Sequence, residues 1–374
     1  EKAGTYYIIE KYLTFYEQEQ GNLAEALKHC ILAQRDGEDE SLNSLREELD
    51  KEFITECETS LAAGTLTTED ASRLCTSYIR MERNQEGIDL LRNHPEYAEM
   101  ELFHKYLTIF LYQAGKLEES EEESRLWQQA AAAKIARAQD IAYDTAHMTA
   151  TERAAANQDT AEIDKNAAFL EAAGDMPGAD EIHGRIQEFQ YDLSVAYTFQ
   201  ARIFWSLAEQ AETRETSKSW CAKAEQAFEQ ALEYTPDHVP MRQEFLDLLI
   251  FEKEYEKAVV LADEILAQDE NWFPALVQKQ KACYELGRAQ EVVDLFYQAK
   301  ELYPKLSNIY EQAAKIFIDY RQYQDAEGIL AQAEEAEVES PELDLIRIRC
   351  ERLRCRSDVD YFDALRKAQA LLEK

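Results

Sequence analysis

The side chains that most often carry out chemistry are scattered along this 374-residue sequence without the spacing that a reaction needs. None of the six histidines belongs to a His-Glu-x-x-His pattern, and no two cysteines are separated by two residues, so the common zinc-binding arrangements are missing from the sequence. Glycine-rich phosphate loops and the Gly-x-Ser-x-Gly turn of hydrolases are missing too. We therefore expect no catalytic residues, no bound metal and no cofactor.

The seven cysteines are odd in number and widely spaced, which is not typical of a disulfide-linked secreted domain. We expect reduced thiols that pack as small apolar side chains, and a reducing cytoplasmic location. The nearest two, Cys350 and Cys355, would lie on different faces of a helix. No apolar run is long enough to span a bilayer. Because the chain begins at Glu1 and not at methionine, we expect a trimmed N-terminus.

The charge of the chain excludes several classes of partner. It carries 75 acidic and 40 basic residues, a net charge of −35, which is the wrong sign for nucleic acid and disfavours anionic membranes. Hydrophobic residues still make up 45 % of the chain and include 20 Tyr and 15 Phe, so a packed core is expected. With only 11 Gly and 7 Pro, the composition favours helices throughout.

Four segments in the second half of the chain align at a spacing of 34 residues. Each has a small side chain at the same position, followed four and seven residues later by side chains on the same helix face. The small positions are Ala224, Ala258, Val292 and Ala326. A small residue lets two helices approach closely, so the pattern predicts antiparallel helix pairs. One pair cannot bury its apolar face alone, so the pairs are expected to stack.

This pattern resembles the tetratricopeptide repeat (TPR) family. The residues of one repeat that match the second half of the family's signature are Leu286, Gly287, Val292, Phe296, Ala299 and Pro304. The first helices match less closely, since Lys279 and Gln280 stand where the family prefers Leu and a small residue. The resemblance implies an all-α, TPR-like α-solenoid, a right-handed superhelix of antiparallel helix pairs with a concave, ligand-binding groove.

The sequence divides into three regions: residues 1–150 with degenerate TPR-like helical repeats, 151–180 as an irregular Ala-rich connector, and 181–374 as a C-terminal TPR array. Weaker repeat matches lie near Gly21, Gly87 and Gly115, and one more near Tyr361. A single long helix is predicted from Ala179 to about Glu212. The alternative is one continuous superhelix with irregular repeats.

In the family, certain first-helix positions line the concave groove. The resemblance places at one of these positions, each 34 residues apart, Asp247, Lys281, Lys315 and Arg349. A neighbouring groove position forms an apolar strip that consists of Ile250, Tyr284 and Ile318. We interpret the cations as a site for a carboxylate, on an acidic side chain or at a C-terminus, and the strip as a site for hydrophobic ligand residues. The alternative is that the lysines are ordinary solvated residues that balance nearby acids.

Two further charged segments have competing interpretations. The five arginines within residues 347–356 either pair with acids such as Glu334 or form an anionic docking patch. The acidic runs at 36–40 and 118–123 are expected to be solvated faces, or to steer a basic partner.

The leading functional hypothesis is a non-catalytic scaffold that binds a protein or peptide in its groove, with no nucleic acid and no membrane as partner. The alternative is the peptide-sensing or interaction region of a larger regulator, co-chaperone or enzyme whose output domain is missing from this chain. Fold alone does not decide between them, and the oligomeric state is left open.

Overall fold

The computed structural model describes residues 2–36, 40–147, 179–354, 362 and 365–367, and within these ranges every regular element is a helix. The chain forms two compact units, Glu1–Thr235 and Pro236–Lys374. The all-α, TPR-like solenoid class predicted from the sequence is confirmed.

The first unit contains nine α-helices and one short 3-10 helix in its described part. In chain order they are α1 (Lys2–Glu19), α2 (Leu23–Asp36), α3 (Glu40–Ala63), α4 (Thr68–Arg80), α5 (Asn84–Asn93), the 3-10 helix Pro95–Tyr97, α6 (Met100–Gln113), α7 (Leu117–His147), α8 (Ala179–Glu209) and α9 (Arg214–Tyr234). Helix α8 confirms the long helix predicted from Ala179.

The second unit is more regular. Its helices are α10 (Val239–Glu252), α11 (Tyr255–Gln268), α12 (Phe273–Glu285), α13 (Ala289–Leu302), α14 (Ser307–Asp319), α15 (Tyr323–Glu335) and α16 (Pro341–Arg354). Each helix packs on the next, and the even-numbered helices also contact one another in the order α10, α12, α14, α16. These four first helices therefore form one continuous surface, which we call the first-helix face.

The small positions predicted from the 34-residue spacing lie at the helix contacts. Ala224, Ala258, Val292 and Ala326 are all fully buried, which confirms the predicted register. Ala258, Val292 and Ala326 are each the fourth residue of the second helix in a pair, and the fourth residues of α2, α5 and α7 in the first unit are buried Ala26, Gly87 and Ser120. The weaker N-terminal matches therefore also place a small buried residue at this point of the helix.

Helices α5 and α6 approach each other closely at Gly87 of α5. A methyl group added to this glycine would overlap the ring of Phe110, which is fully buried in α6. No side chain larger than hydrogen fits there unless the ring moves, and the ring lies in a close-packed core. Glycine is thus required at this position for the two helices to pack as they do.

The turns within helix pairs share one backbone geometry. Gly287 has a φ of 70°, and the residues 34 positions away on either side, Lys253 and Arg321, have φ values of 67° and 61°. Each follows the end of a first helix, where the next amide bonds a carbonyl five residues back, as Arg288 N does to Cys283 O at 2.9 Å. This is the Schellman arrangement, which favours glycine because its left-handed residue has no Cβ to clash.

The domain boundary predicted at 151–180 falls on residues outside the described ranges, apart from the start of α8. Helices α7 and α8 pack together on either side of that segment. The buried cluster that joins them consists of Trp127, Ala131, Ile135, Leu193 and Ala196. This contact places α8 in the first compact unit, whereas the sequence assigned it to the C-terminal array. The three-region division stays a prediction, as does the repeat near Tyr361, most of which lies outside the described residues.

Replacing Ala258 with Leu should destabilise the chain by about 1–3 kcal/mol, because the added atoms have no space at a fully buried helix contact. Urea unfolding followed by circular dichroism measures the change. Val260→Leu is the matched control, since Val260 lies on the same helix and is 60 % exposed. A midpoint for Ala258→Leu equal to that of the control would show that the contact is loose.

Substitutions at two of the turn positions should change the stability of the chain in opposite directions. Gly287→Ala should destabilise the chain by about 1 kcal/mol, and Arg321→Gly should stabilise it by a similar amount, because only glycine adopts a positive φ without steric cost. An added Cβ at Gly287 has no neighbour closer than the hydroxyl of Tyr320 at 3.7 Å, so the effect reports backbone conformation and not packing. Shifts of both midpoints in the same direction would contradict this account.

Candidate peptide-binding face

The predicted site residues all lie on the helices of the first-helix face. Lys281 and Tyr284 are on α12, Lys315 and Ile318 on α14, Arg349 on α16 and Ile250 on α10. The structure therefore brings the predicted positions onto one surface of the second unit.

The apolar strip is not exposed on this surface. Ile250 is 7 % exposed and Ile318 is 2 % exposed, and Ile318 belongs to the core of the last repeats. Tyr284 alone is partly exposed, and its hydroxyl is hydrogen-bonded. The expectation of an apolar strip is corrected to one tyrosine, because the two isoleucine side chains pack between the helices.

Two of the three predicted cations form ion pairs across neighbouring repeats. The ammonium of Lys315 lies 2.9 Å from Glu342 of α16, and the guanidinium of Arg349 lies 3.0 Å from Asp319 of α14. Their charges are therefore balanced within the protein, and the cations do not form a continuous basic row.

Lys281 differs from the other two cations. It is exposed, and no hydrogen bond or ion pair reaches its ammonium group from any residue that the structure describes. The sequence explains this difference. The acid that pairs with Lys315 is 27 residues after it, and the acid that pairs with Arg349 is 30 residues before it. The residue 27 positions after Lys281 is Asn308, and the residue 30 positions before it is Phe251. Neither side chain carries a charge.

Next to Lys281 in the face, Asp247 is held in a network of amide groups. Its Oδ1 accepts hydrogen bonds from Gln243 at 3.0 Å and from Gln278 at 2.9 Å, and the indole of Trp272 donates to Gln243 at 3.1 Å. Burial raises the pKa of Asp247, while the two amide hydrogen bonds and the charge of Lys281 act to lower it. The carboxylate is thus fixed in place and leaves Lys281 available to other groups.

Asp319 of α14 links three first helices. It accepts a hydrogen bond of 2.6 Å from the hydroxyl of Tyr284 on α12 and pairs with Arg349 on α16. Burial, followed by the hydrogen bond to Asp319, raises the pKa of Tyr284 to about 12. The sequence did not single out Asp319, although its place one helical turn after Lys315 puts it on the same face.

The two residues that depart from the family pattern have structural roles. The amide of Gln280, which is 1 % exposed, donates to the carbonyls of Val292 at 3.2 Å and Ile309 at 3.3 Å, so it joins three helices. Lys279 forms an ion pair of 2.6 Å with Asp263 of α11. A polar clamp thus replaces the small apolar contact that the signature predicts at this helix pair.

The arginines of α16 support the pairing interpretation over a docking patch. Arg347 pairs with Glu334 at 3.3 Å, and Arg354 pairs with Glu327. The acidic run of α7 is also partly paired, through Arg92 to Glu119 and His104 to Glu123, both at 2.6 Å. Neither segment offers a uniform patch of one charge.

Other ligand types were sought in the described part of the chain. It contains no group of three or more His, Cys, Asp or Glu side chains arranged to hold a metal ion. Six cysteines there are buried free thiols, and burial raises the pKa of Cys57, Cys75 and Cys283 to about 12. Cys355 lies outside the described residues. None of the described helices combines the length and the apolar character that crossing a bilayer requires.

Replacing Lys281 with Met should raise the pKa of Asp247 further above its usual value of 3.8, because the substitution removes a cation that stabilises the ionised carboxylate. Carbon-13 NMR of the Asp247 carboxyl group over a pH titration measures this shift. Since folding raises this pKa, the contribution of Asp247 to stability is greatest at low pH and is lost as pH rises through the folded pKa. Lys305→Met, at an exposed lysine before α14, is the control, and an equal shift in both variants would contradict the assignment.

Comparison with known proteins gives limited matches. No family model and no curated protein matches the chain. Among solved structures, yeast Tom70 is 12 % identical over 99 % of this chain and 85 % of its own, with a TM-score of 0.36. A tetratricopeptide repeat protein of Parabacteroides merdae is 12 % identical over 91 % of this chain and 97 % of its own, with a TM-score of 0.34. A TPR protein of Thermus thermophilus is 16 % identical over 67 % of this chain and 100 % of its own, with a TM-score of 0.36.

These scores are low, so the fold assignment rests on the chain's own features: the 34-residue register of buried small residues, the left-handed turn positions and the stacked helix pairs. By these features the chain is a helical repeat protein that resembles the tetratricopeptide repeat family.

Proposed function

We propose that this chain is a non-catalytic protein-binding scaffold, and that its first-helix face holds a peptide segment through a carboxylate that contacts Lys281. The observation that carries the proposal is the exposed ammonium group of Lys281, which forms no ion pair with any residue in the described ranges, on a surface where the other predicted cations are neutralised. An exposed cation surrounded by fixed polar groups favours a charged hydrogen bond with a ligand carboxylate.

The neighbours of Lys281 restrict the kind of ligand. Asp247 interacts with Lys281 and is already held by hydrogen bonds from Gln243 and Gln278. A ligand with several adjacent acids would meet repulsion from this carboxylate, since charges within about 8 Å are little screened at physiological ionic strength. The site therefore fits a single carboxylate, such as a peptide C-terminus, better than an acidic run.

The same electrostatic argument disfavours nucleic acid as a ligand. A phosphate backbone needs several cations along its path. Of the three cations predicted to form the site, Lys315 and Arg349 are already paired with acids, which leaves Lys281 as the one without an ion pair in the described part of the first-helix face. The net charge of −35 adds to this effect.

A peptide array tests the proposal. The same set of sequences is displayed with a free C-terminal carboxylate and with a C-terminal amide, and binding of the fluorescently labelled chain is measured. The carboxylate peptides that bind should lose at least about tenfold in affinity with Lys281→Glu, roughly 1.4 kcal/mol, because reversal replaces an attraction by a repulsion. Melting temperature should fall slightly with Lys281→Glu, because the new carboxylate replaces a cation that stabilises ionised Asp247, so affinities are compared at a temperature at which both chains are folded.

Lys218→Glu is the matched control, because it makes the same charge change at an exposed lysine of α9 in the first unit. Its affinities should equal those of the wild-type chain. Lys315→Glu is less informative, since it breaks the pair with Glu342 and alters stability as well as binding. Equal binding of carboxylate and amide peptides, or equal losses with Lys281→Glu and Lys218→Glu, would rule out the proposed contact.

A further inference from the structure

Helix α1 carries a contiguous set of large apolar side chains on one exposed face. Their exposed fractions run from 45 % to 68 %, and the residues are Ile8, Ile9, Tyr12, Phe15 and Tyr16. At about 100° per residue these positions fall within an arc of about 120° on the helix. None of them is charged. We call this face the α1 stripe.

The opposite face of α1 is the one that holds the helix to its unit. Tyr7 packs against the core of the first unit, and Thr14 is fully buried. Glu10 lies 2.6 Å from the imidazole of His29 on α2. These contacts fix the rotation of α1 about its own axis, so the stripe faces away from α2 and is not hidden by it.

The stripe differs from other exposed apolar residues of the chain. Met100 and Tyr297 are 76 % and 52 % exposed, but they lie far apart in sequence and on different helices. Single exposed residues are ordinary on protein surfaces, whereas a contiguous apolar patch of several hundred Å² marks a site of interaction. Three half-exposed aromatic rings and two isoleucines together present on the order of 500 Å².

The spacing of the stripe allows a second copy of the same helix to cover it. Relative to Tyr12, the apolar positions are −4, −3, 0, +3 and +4, so the pattern is the same when read in either direction along the helix. An antiparallel pair of identical helices related by a two-fold axis through Tyr12 places Ile8 of one copy opposite Tyr16 of the other, and Ile9 opposite Phe15. Such self-complementarity is the requirement for an isologous dimer interface.

We propose that a second copy of this chain covers the α1 stripe, in a two-fold symmetric dimer of antiparallel α1 helices centred on Tyr12. Two stripes bury roughly 1,000 Å² together, which reaches the lower limit for a specific interface. The charge of −35 on each copy opposes association, but this repulsion is screened beyond about 8 Å at physiological ionic strength. The dimer is therefore weak, and it strengthens with salt.

Sedimentation velocity and light scattering of the whole chain across the micromolar range test the proposal. The mass should rise from 43.2 kDa towards twice that value with concentration, and at lower concentration when sodium chloride is added. Tyr12→Glu should raise the dimer dissociation constant at least tenfold, because it places two carboxylates opposite each other on the axis. Met100→Glu is the control, since it adds the same charge at a more exposed apolar residue and should leave the dimer unchanged.

Oxidative crosslinking tests the symmetry. In a chain with Cys355→Ser, Tyr12→Cys should form a disulfide-linked dimer on mild oxidation, and Met100→Cys and the Cys355→Ser parent should not, as the six native cysteines in the described part of the chain are buried. A mass of one chain at every concentration and salt level would overturn the proposal. So would a dimer that Tyr12→Glu, with its helix content intact by circular dichroism, fails to weaken.

Discussion

The close approach of paired helices at one small residue is the constraint on which the rest of the structure depends. Gly87, Ala258 and Ala326 occupy the same place in their helix pairs, and all are buried. A larger side chain there separates the helices, and the separation propagates because each pair packs on the next. Where the chain places Val292 at this position, the amide of Gln280 bonds its carbonyl and joins the helices by polar contacts instead.

The fixed register also determines which charges meet on the first-helix face. Stacking brings side chains of one first helix beside those of the next at spacings within about two turns of the 34-residue repeat. Lys315 with Glu342, Tyr284 with Asp319, and Arg349 with Asp319 are all joined in this way. An acid at position 308 would have neutralised Lys281, but the chain has asparagine there. The unpaired cation is thus a consequence of a departure from exact repetition.

The sequence predicted the helix pairs and the small positions, because these depend on backbone geometry that recurs every 34 residues. It did not predict that Ile250 and Ile318 are buried, since the rotation of each first helix about its axis is set by packing between repeats and not by spacing. Pairing of the cations with nearby acids was the alternative interpretation of the sequence, but Glu342 was not identified as the partner of Lys315, nor Asp319 as the partner of Arg349. Division into units depends on long-range contacts, such as those of α7 with α8, that no local pattern encodes.

The strongly acidic character of the chain restricts where partners can approach. With 75 acids and 40 bases, most surfaces present net negative charge, so like surfaces repel and contact is favoured only where the local charge departs from the average. The two proposed contacts are departures of different kinds. Lys281 is a cation without an ion pair in the described part of the chain, which selects a ligand by charge, and the α1 stripe is an uncharged helix face, which selects one by shape and apolar area. They lie in different units of the chain and share no residue.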